Sequence, residues 1–552
     1  MRKPMLAFSI FVVLFFMTGC GGQSTPVVQN PVQPVQTAPV GLTVTDTPPA
    51  GVTVLFFQLS ITGAMLTPSS GSPVSLLSST HPIPVNVSQL LTDTAFVGSQ
   101  NVDAGTYTGL SLTFANPQLT IFNASDSALS STCAVGNVCQ VTPTTTPGSS
   151  LTLNFSSSPF PVTLSANSPL AFQLDIHLDN IIQSDLSMDL TATNGVTLSQ
   201  VTPPQPGGPI PALGKLTGTV QGTGTNQFTL QTLEGRTFTI NVNGSTTFSN
   251  FPSSTNCSTS AETFGCLATG QVVQVTVTLQ PDGTLLATAV NYIQLPTQQT
   301  VEGNIIGLST SGNNTMMDLI IQQQPLAANA DVLPVGKHAS VIVPSTGVDF
   351  GVDWGSFTLP SGVTFSFSTP ADLQVGQDVL VVVEGTVTQP ANSQAGNSNS
   401  SGTNSSNGSG TSGGNGSGTS GWNGWNGPSP FGRPNVSFTA SSITLEPSQI
   451  TGTVASLPTS GSLSFTLAIM PVFFVPPAAT WGTPPSWAPV TITVQTASDT
   501  TFTNFTTNSL AGLAVNDVVS VHGWVFSTPT GATKVTLAAD AIVDRQGPTP
   551  FF

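Results

Sequence analysis

An all-β chain of several domains is predicted by three observations. Apolar residues recur with a period of two, Thr, Val and Phe fill the alternating stretches while Gly and Pro punctuate them, and one five-strand pattern recurs in the C-terminal half. The expected architecture is an N-terminal β-sandwich followed by about three small antiparallel β-barrel (OB-like) repeats, one carrying a disordered Gly/Ser/Asn-rich insert. At 552 residues the length suits such a string, and 38% hydrophobic residues suffice for several modest cores. No stretch has the 3.6-residue period of an amphipathic helix.

In chain order, the first element is not part of the fold. Arg2 and Lys3 precede an apolar run, Leu6 to Phe16, that is too short for a resident membrane helix of ~20 residues. The run closes in LFFMTGC, and the layout is that of an export signal, residues 1–19. This ending resembles the lipobox of bacterial lipoproteins, with Met17 where that family usually has Leu. The resemblance implies that Cys20 carries the acyl chains and becomes the new N-terminus. Residues 20–39, rich in Pro, Gln and Val, then read as an extended tether.

The second element, residues 40–201, contains long alternating segments such as VTVLFFQLSITGAML, TGLSLTF and LAFQLDIHLDNI. Together with VNVSQLL and DAGTY (Asp103 to Tyr107), they resemble in order the bacterial domain of unknown function 4382. That resemblance implies a β-sandwich of envelope proteins and no established activity.

From Gly214 onward the chain repeats itself. KLTGTVQGTGTNQFTLQT, RTFTINVNGSTTFSNF, GQVVQVTVTLQPDGT and LLATAVNYI align with ITGTVASLPTSGSLSFTLAI, VTITVQTASDTTFTNF, NDVVSVHGWVFSTPTGA and KVTLAADAIV. A degenerate copy between them contains VEGNIIGLS, MMDLIIQQ, GVTFSFSTPADLQVGQDVLVVVEGTV and VSFTASSITL. The boundaries are 213–296, 300–446 and 450–545, with the insert at 391–434 inside the middle copy. Five short strands per copy suit a small closed barrel. These copies resemble the domain of unknown function 5666, frequent in exported bacterial proteins and without an assigned activity. The expected arrangement is a row of modules on flexible joints.

Charge narrows the function classes. Charged residues are only 6% of the chain, and loss of Arg2 and Lys3 leaves six basic residues against 24 acidic ones, a formal charge of −18. So few cations cannot neutralise many phosphates, which argues against nucleic-acid binding and against electrostatic docking on anionic lipid. Membrane attachment then falls to the lipid on Cys20, at the outer membrane or cell surface.

With Cys20 assigned, the remaining cysteines form two local pairs, Cys133 with Cys139 and Cys257 with Cys266. In an oxidising compartment both are expected to be disulfides, because neither has metal-site spacing.

Chemical signals are sparse. Gly410 to Gly414 matches a hydrolase GxSxG pattern but lies inside the insert, far from any strand-to-helix elbow. Asp175, His177 and Asp179 would share one face of a strand and offer O and N ligands to a divalent cation, although same-face neighbours stand about 7 Å apart. The competing reading of that trio is a solvated face. Asp349 and Asp353 form a similar pair around Trp354, and Trp422 and Trp425 in the insert are candidates for stacking on sugar rings. No cofactor is implied. The expected role is a lipid-anchored envelope protein that binds, adheres or supports, with a glycan or envelope protein as partner and no catalysis. The alternative is an envelope hydrolase acting on polysaccharide or peptide through acids such as Asp349 and Asp353.

Overall fold

The computed structural model describes residues 36–47, 53–77, 81–90, 94–123, 128–129, 133–134, 138–146, 151–183, 185–232, 235–252, 257, 262–294, 299–323, 333, 335–354, 357–359, 363–388, 436–457, 463–469, 490–527 and 535–545. Cys20, Trp422, Trp425, the 391–434 insert, most of the tether and the terminal Phe551 and Phe552 lie outside them. The chain is all-β with several sheets, as its alternation predicts. Among the described residues no helix is long and apolar enough to cross a membrane.

The sandwich begins at Thr37, inside the stretch read as tether. Thr37–Thr47 runs between Ala95–Asp103, antiparallel, and Leu170–His177, parallel, with Val196–Val201 beyond. The facing sheet is built on the long pair Thr53–Pro68 and Gly105–Phe122. Phe57, Phe114 and Phe172 fill the space between the sheets, and burial of each such side chain stabilises by roughly 1.5–3 kcal/mol. The DAGTY segment makes a corner: the Tyr107 hydroxyl donates to the Asp103 carbonyl at 2.9 Å. Cys133–Cys139 and Cys257–Cys266 are both disulfides, in the sandwich and in the first repeat.

Each repeat closes through one circuit of pairings. In the third, Ser448–Ser456 pairs Ser464–Ile469, which pairs Val490–Thr503; that strand runs parallel to Val535–Asp544, which returns through Val518–Ser527 to the start. The order first, second, third, fifth, fourth also holds for Ile210–Thr223 to Leu285–Gln294 and for Thr300–Ser311 to Val436–Glu446. A parallel contact between third and fifth strands makes this a Greek-key, OB-like barrel and not a meander. The Gly of each opening strand has a physical reason. A Cβ on Gly218, Gly303 or Gly452 would stand 2.3, 2.6 or 2.5 Å from a carbonyl oxygen of the second strand, too close for any side chain.

The middle copy differs from its sequence alignment. Its third strand is His338–Val343 with Asp349–Val352, whereas residues 363–368 of GVTFSFS form no strand and bring Phe365 against Phe526 at 4.4 Å. The fourth and fifth strands flank the insert, and Thr388 is the register partner of Ser437.

The modules do not form a row on flexible joints. Arg236 Nη1 donates to the Val97 carbonyl at 2.6 Å, and Phe96 and Ala171 of the sandwich belong to the core of the first barrel. Phe56 and Phe122 pack on Ile306 and Ile320 of the second barrel, where Thr120 Oγ1 donates to the Gly336 carbonyl at 2.6 Å. Trp524 and Phe526 of the third barrel join the core of the second. Apolar side chains on the outer faces of the modules bury one another, which is why the joints are not free.

Candidate functional site

The residues singled out in sequence do not converge. The strand ends at His177 and Leu178–Ile181 forms a helical turn, so the strand spacing expected to run through Asp175, His177 and Asp179 stops before the third of them. The side chain of Asp179 is outside the described set. Asp175 Oδ2 stands 3.5 Å from His177 Nε2, and both side chains are part-exposed. Among the described residues no group of three His, Cys, Asp or Glu is placed to hold a metal ion.

Asp349 and Asp353 also separate in role. Asp349 is exposed on the short strand Asp349–Val352. Asp353 joins three barrels: its carboxylate accepts from Asn250 Nδ2 at 2.9 Å and Asn291 Nδ2 at 2.6 Å of the first, and its carbonyl accepts from Trp524 Nε1 at 2.8 Å of the third. The carboxylate thus ties the second barrel to the first, on the lining of the cavity that the modules enclose.

Where the four modules meet they leave a cavity of about 1430 Å³, partly open to solvent. Its most polar wall is the outer face of the second barrel. Alternation sends Val301, Ile305, Val379, Val381, Ile443 and Leu445 into the barrel core. It sends Glu302, Asn304, Asp378 and Glu446 outward, and in an isolated barrel these would meet water. The neighbouring modules enclose them instead.

Register places Asn304 opposite Asp378, and Asp378 opposite Glu446, in one row across three strands. Directly opposed side chains have Cβ atoms about 4.5–5.5 Å apart, and like charges there repel. Asn304 Nδ2 donates to Asp378 Oδ1 at 3.0 Å, and Gln323 Nε2 donates to Glu302 Oε2 at 3.0 Å. The Asp378 backbone N–H donates to Ser448 Oγ at 2.9 Å.

Asp378 and Glu446 keep some surface against the cavity yet lie deep among atoms of several modules, so water reaches them poorly. Burial pushes the Asp378 carboxyl up to about 7, with Glu302 adding to the rise and Asn304, His522 and Ser448 opposing it. Burial also holds Glu446 well above the ordinary carboxyl range; Asp353, Glu302 and Asp378 add to this and Lys215 opposes it. On another wall, His522 Nδ1 lies 2.6 Å from Asp540 Oδ1. Aromatic side chains complete the lining: Tyr292 packs on Phe251 at 5.5 Å, and Trp354 on Trp524 at 5.1 Å.

Sequence reasoning missed this row. Its four members lie on three strands of one repeat, between residues 302 and 446, with no short spacing to connect them. A signal was available nonetheless: charged residues are scarce, and EGN (Glu302 to Asn304), Asp378 and Glu446 all sit at outward positions of strands whose other face is Val and Ile.

No curated protein matches the chain. Residues 217–291, which run from within the opening strand of the first barrel to within its closing strand, match the family model described as Domain of unknown function (DUF5666).

Proposed function

We propose that this chain is a lipid-anchored protein of the bacterial cell envelope that binds a glycan or an envelope partner without turning it over. The observation that carries the binding role is the cavity at the four-module junction, whose polar row and aromatic faces resemble the composition of a ligand site. Anchorage rests on the lipobox-like LFFMTGC and its Cys20, and the domain 4382-like order of segments in residues 40–201 favours the same address. The two disulfides agree with an oxidising compartment.

Radiolabelled palmitate tests the anchor: incorporation into the wild type and its loss in Cys20→Ser, with release from the membrane fraction, is the expected result. Absence of label in both sinks the lipid assignment. A glycan array probed with the purified protein tests the binding role, with retention and no cleavage expected.

A second reading, an envelope hydrolase, is favoured by one observation. Asp378 and Glu446 face each other across a strand pair, and Asp378 keeps a proton near neutral pH. Two carboxyls about 5–10 Å apart are what glycoside hydrolysis requires. Cleavage of a bound polysaccharide, abolished by Asp378→Asn, would replace binding with this reading.

A further inference from the structure

Resting on the binding role just proposed, we infer that the junction cavity takes an uncharged, hydroxyl-rich glycan chain, and that the outer face of the first barrel recognises it. Strand register lays that face out. Thr217 lies opposite Gln274, Gln274 opposite Asn291 and Asn291 opposite Ser249, in one row across four strands. Thr276, two residues beyond Gln274, stands opposite Lys215 in the adjoining row. The alternate residues Leu216, Val273, Val275 and Val290 belong to the barrel core, so these rows face outward, where they line the cavity. Neighbouring strands are about 4.8 Å apart, which gives a row of four a span of roughly 14 Å, the scale of a short oligosaccharide.

Some members of these rows hold the fold together and others do not. Asn291 is fully engaged: its Nδ2 donates to Asp353, and its Oδ1 accepts from Ser249 Oγ at 3.2 Å. The side chains of Thr217, Gln274 and Thr276 make no hydrogen bond with any described residue. All three are half-buried between the modules, and none of their polar atoms is sealed from solvent. Hydroxyls and a primary amide each donate and accept. A guest whose own groups also do both pairs with all three, and the hydroxyls of a sugar are such groups.

Other guests suit these walls less well. An acyl chain would bury the rows and leave their donors and acceptors unmade. An anionic chain would meet Glu302, Asp378 and Glu446 on the facing wall, and of the basic side chains on the lining Arg236 is already tied to the Val97 carbonyl. An extended peptide binds by adding a strand to an open sheet edge. Here Val272–Leu279 and Leu285–Gln294, the middle of the face, are paired on both sides.

Aromatic lining and size extend the argument. Phe248, Tyr292 and Trp354 are half-buried on the same lining, and aromatic rings supply flat apolar surface against which the C–H face of a pyranose packs. A cavity of about 1430 Å³ exceeds the roughly 300–1,000 Å³ of drug-sized sites, so it admits several linked sugar rings. Because the guest carries no charge, salt has nothing to screen, and its affinity is independent of ionic strength.

Titration calorimetry on the purified full chain, at low and at high salt, tests this with maltohexaose, cellohexaose and chitohexaose as uncharged probes and with hexagalacturonate and a glucosamine hexamer as charged ones. The expected result is binding of at least one uncharged hexamer, at least tenfold tighter than either charged one and unaltered by salt. Gln274→Ala combined with Thr276→Val is expected to weaken it at least tenfold while thermal unfolding stays as in the wild type, since both side chains point away from the core. Thr217→Val, on the neighbouring strand, is an independent second variant with the same expected direction. Binding of a charged hexamer alone, or of an uncharged one that the folded variants leave unchanged, overturns the inference while the binding role stands. If no hexamer binds, the inference falls and the role rests on the envelope partner alone; if a hexamer is cleaved, the role itself falls and the inference with it.

Discussion

Replacing Asp378 by Asn is expected to stabilise the protein at neutral and alkaline pH and to do almost nothing in acid. The folded state keeps the Asp378 proton up to about 7, whereas the unfolded chain gives it up near 3.8. Between those values the unfolded state binds fewer protons, so stability falls as pH rises through the window, and the whole penalty is in place above it. The interval corresponds to about 4 kcal/mol as an upper bound, because each pKa step of one is worth about 1.36 kcal/mol. Asn cannot ionise, and its side-chain oxygen still accepts from Asn304 Nδ2, so the penalty disappears without loss of that bond. Urea unfolding of wild type and variant, followed by tryptophan fluorescence at pH 4 and pH 8, measures the difference. Trp354 and Trp524 lie in the contact between the second and third barrels and report on this region. A gap near zero at pH 4 that opens to ~2–4 kcal/mol at pH 8 is expected. Parallel pH curves for the two proteins would refute the account of a desolvated acid at the junction.

Three other outcomes follow from the same structure. Gly452→Ala pushes a methyl group to 2.5 Å from the Ala468 carbonyl oxygen and is expected to destabilise the third barrel by about 1–3 kcal/mol, measured by thermal unfolding. Cys257→Ser with Cys266→Ser opens a loop of sequence separation 9 and should cost about 2–3 kcal/mol on the loop-entropy model, with reductant lowering the wild type to the variant's level. Burial pushes the Tyr292 phenol up to about 12; with only two tyrosines in the chain, an absorbance titration should show a late ionising step that Tyr292→Phe removes.

Most of the fold was legible because it is local. Period-two alternation identified the strands, whereas the close approach that Gly218, Gly303 and Gly452 allow shows only once the barrels are closed. The middle repeat was harder. Val363, Phe365 and Phe367 alternate with Thr and Ser in GVTFSFS, which is strand chemistry, yet this stretch lies as an irregular cover with Phe365 against Phe526. The third strand comes instead from HASVIV, flanked by Lys337 and Pro344. Alternation reports which side chains want burial and is silent on whether a neighbouring strand or a neighbouring module provides it.

The site was the least legible part for the same reason. His177 and Asp353 attracted notice through neighbours in sequence, whereas Asn304, Asp378 and Glu446 are neighbours only through strand register. Enclosure of their face depends on contacts between modules that no single repeat encodes, such as Gln377 Nε2 donating to the Val525 carbonyl at 2.9 Å.

The pairing of Thr388 with Ser437 has a consequence for how this lineage can change. Because those positions are held side by side by the barrel wall, intervening sequence has only to come back to where it started. Closure entropy grows with the logarithm of length, about 0.6 kcal/mol per doubling. Evolution can lengthen, shorten or exchange residues 389–435 at small thermodynamic cost, and an engineer has the same freedom to graft a tag or a second binding module there.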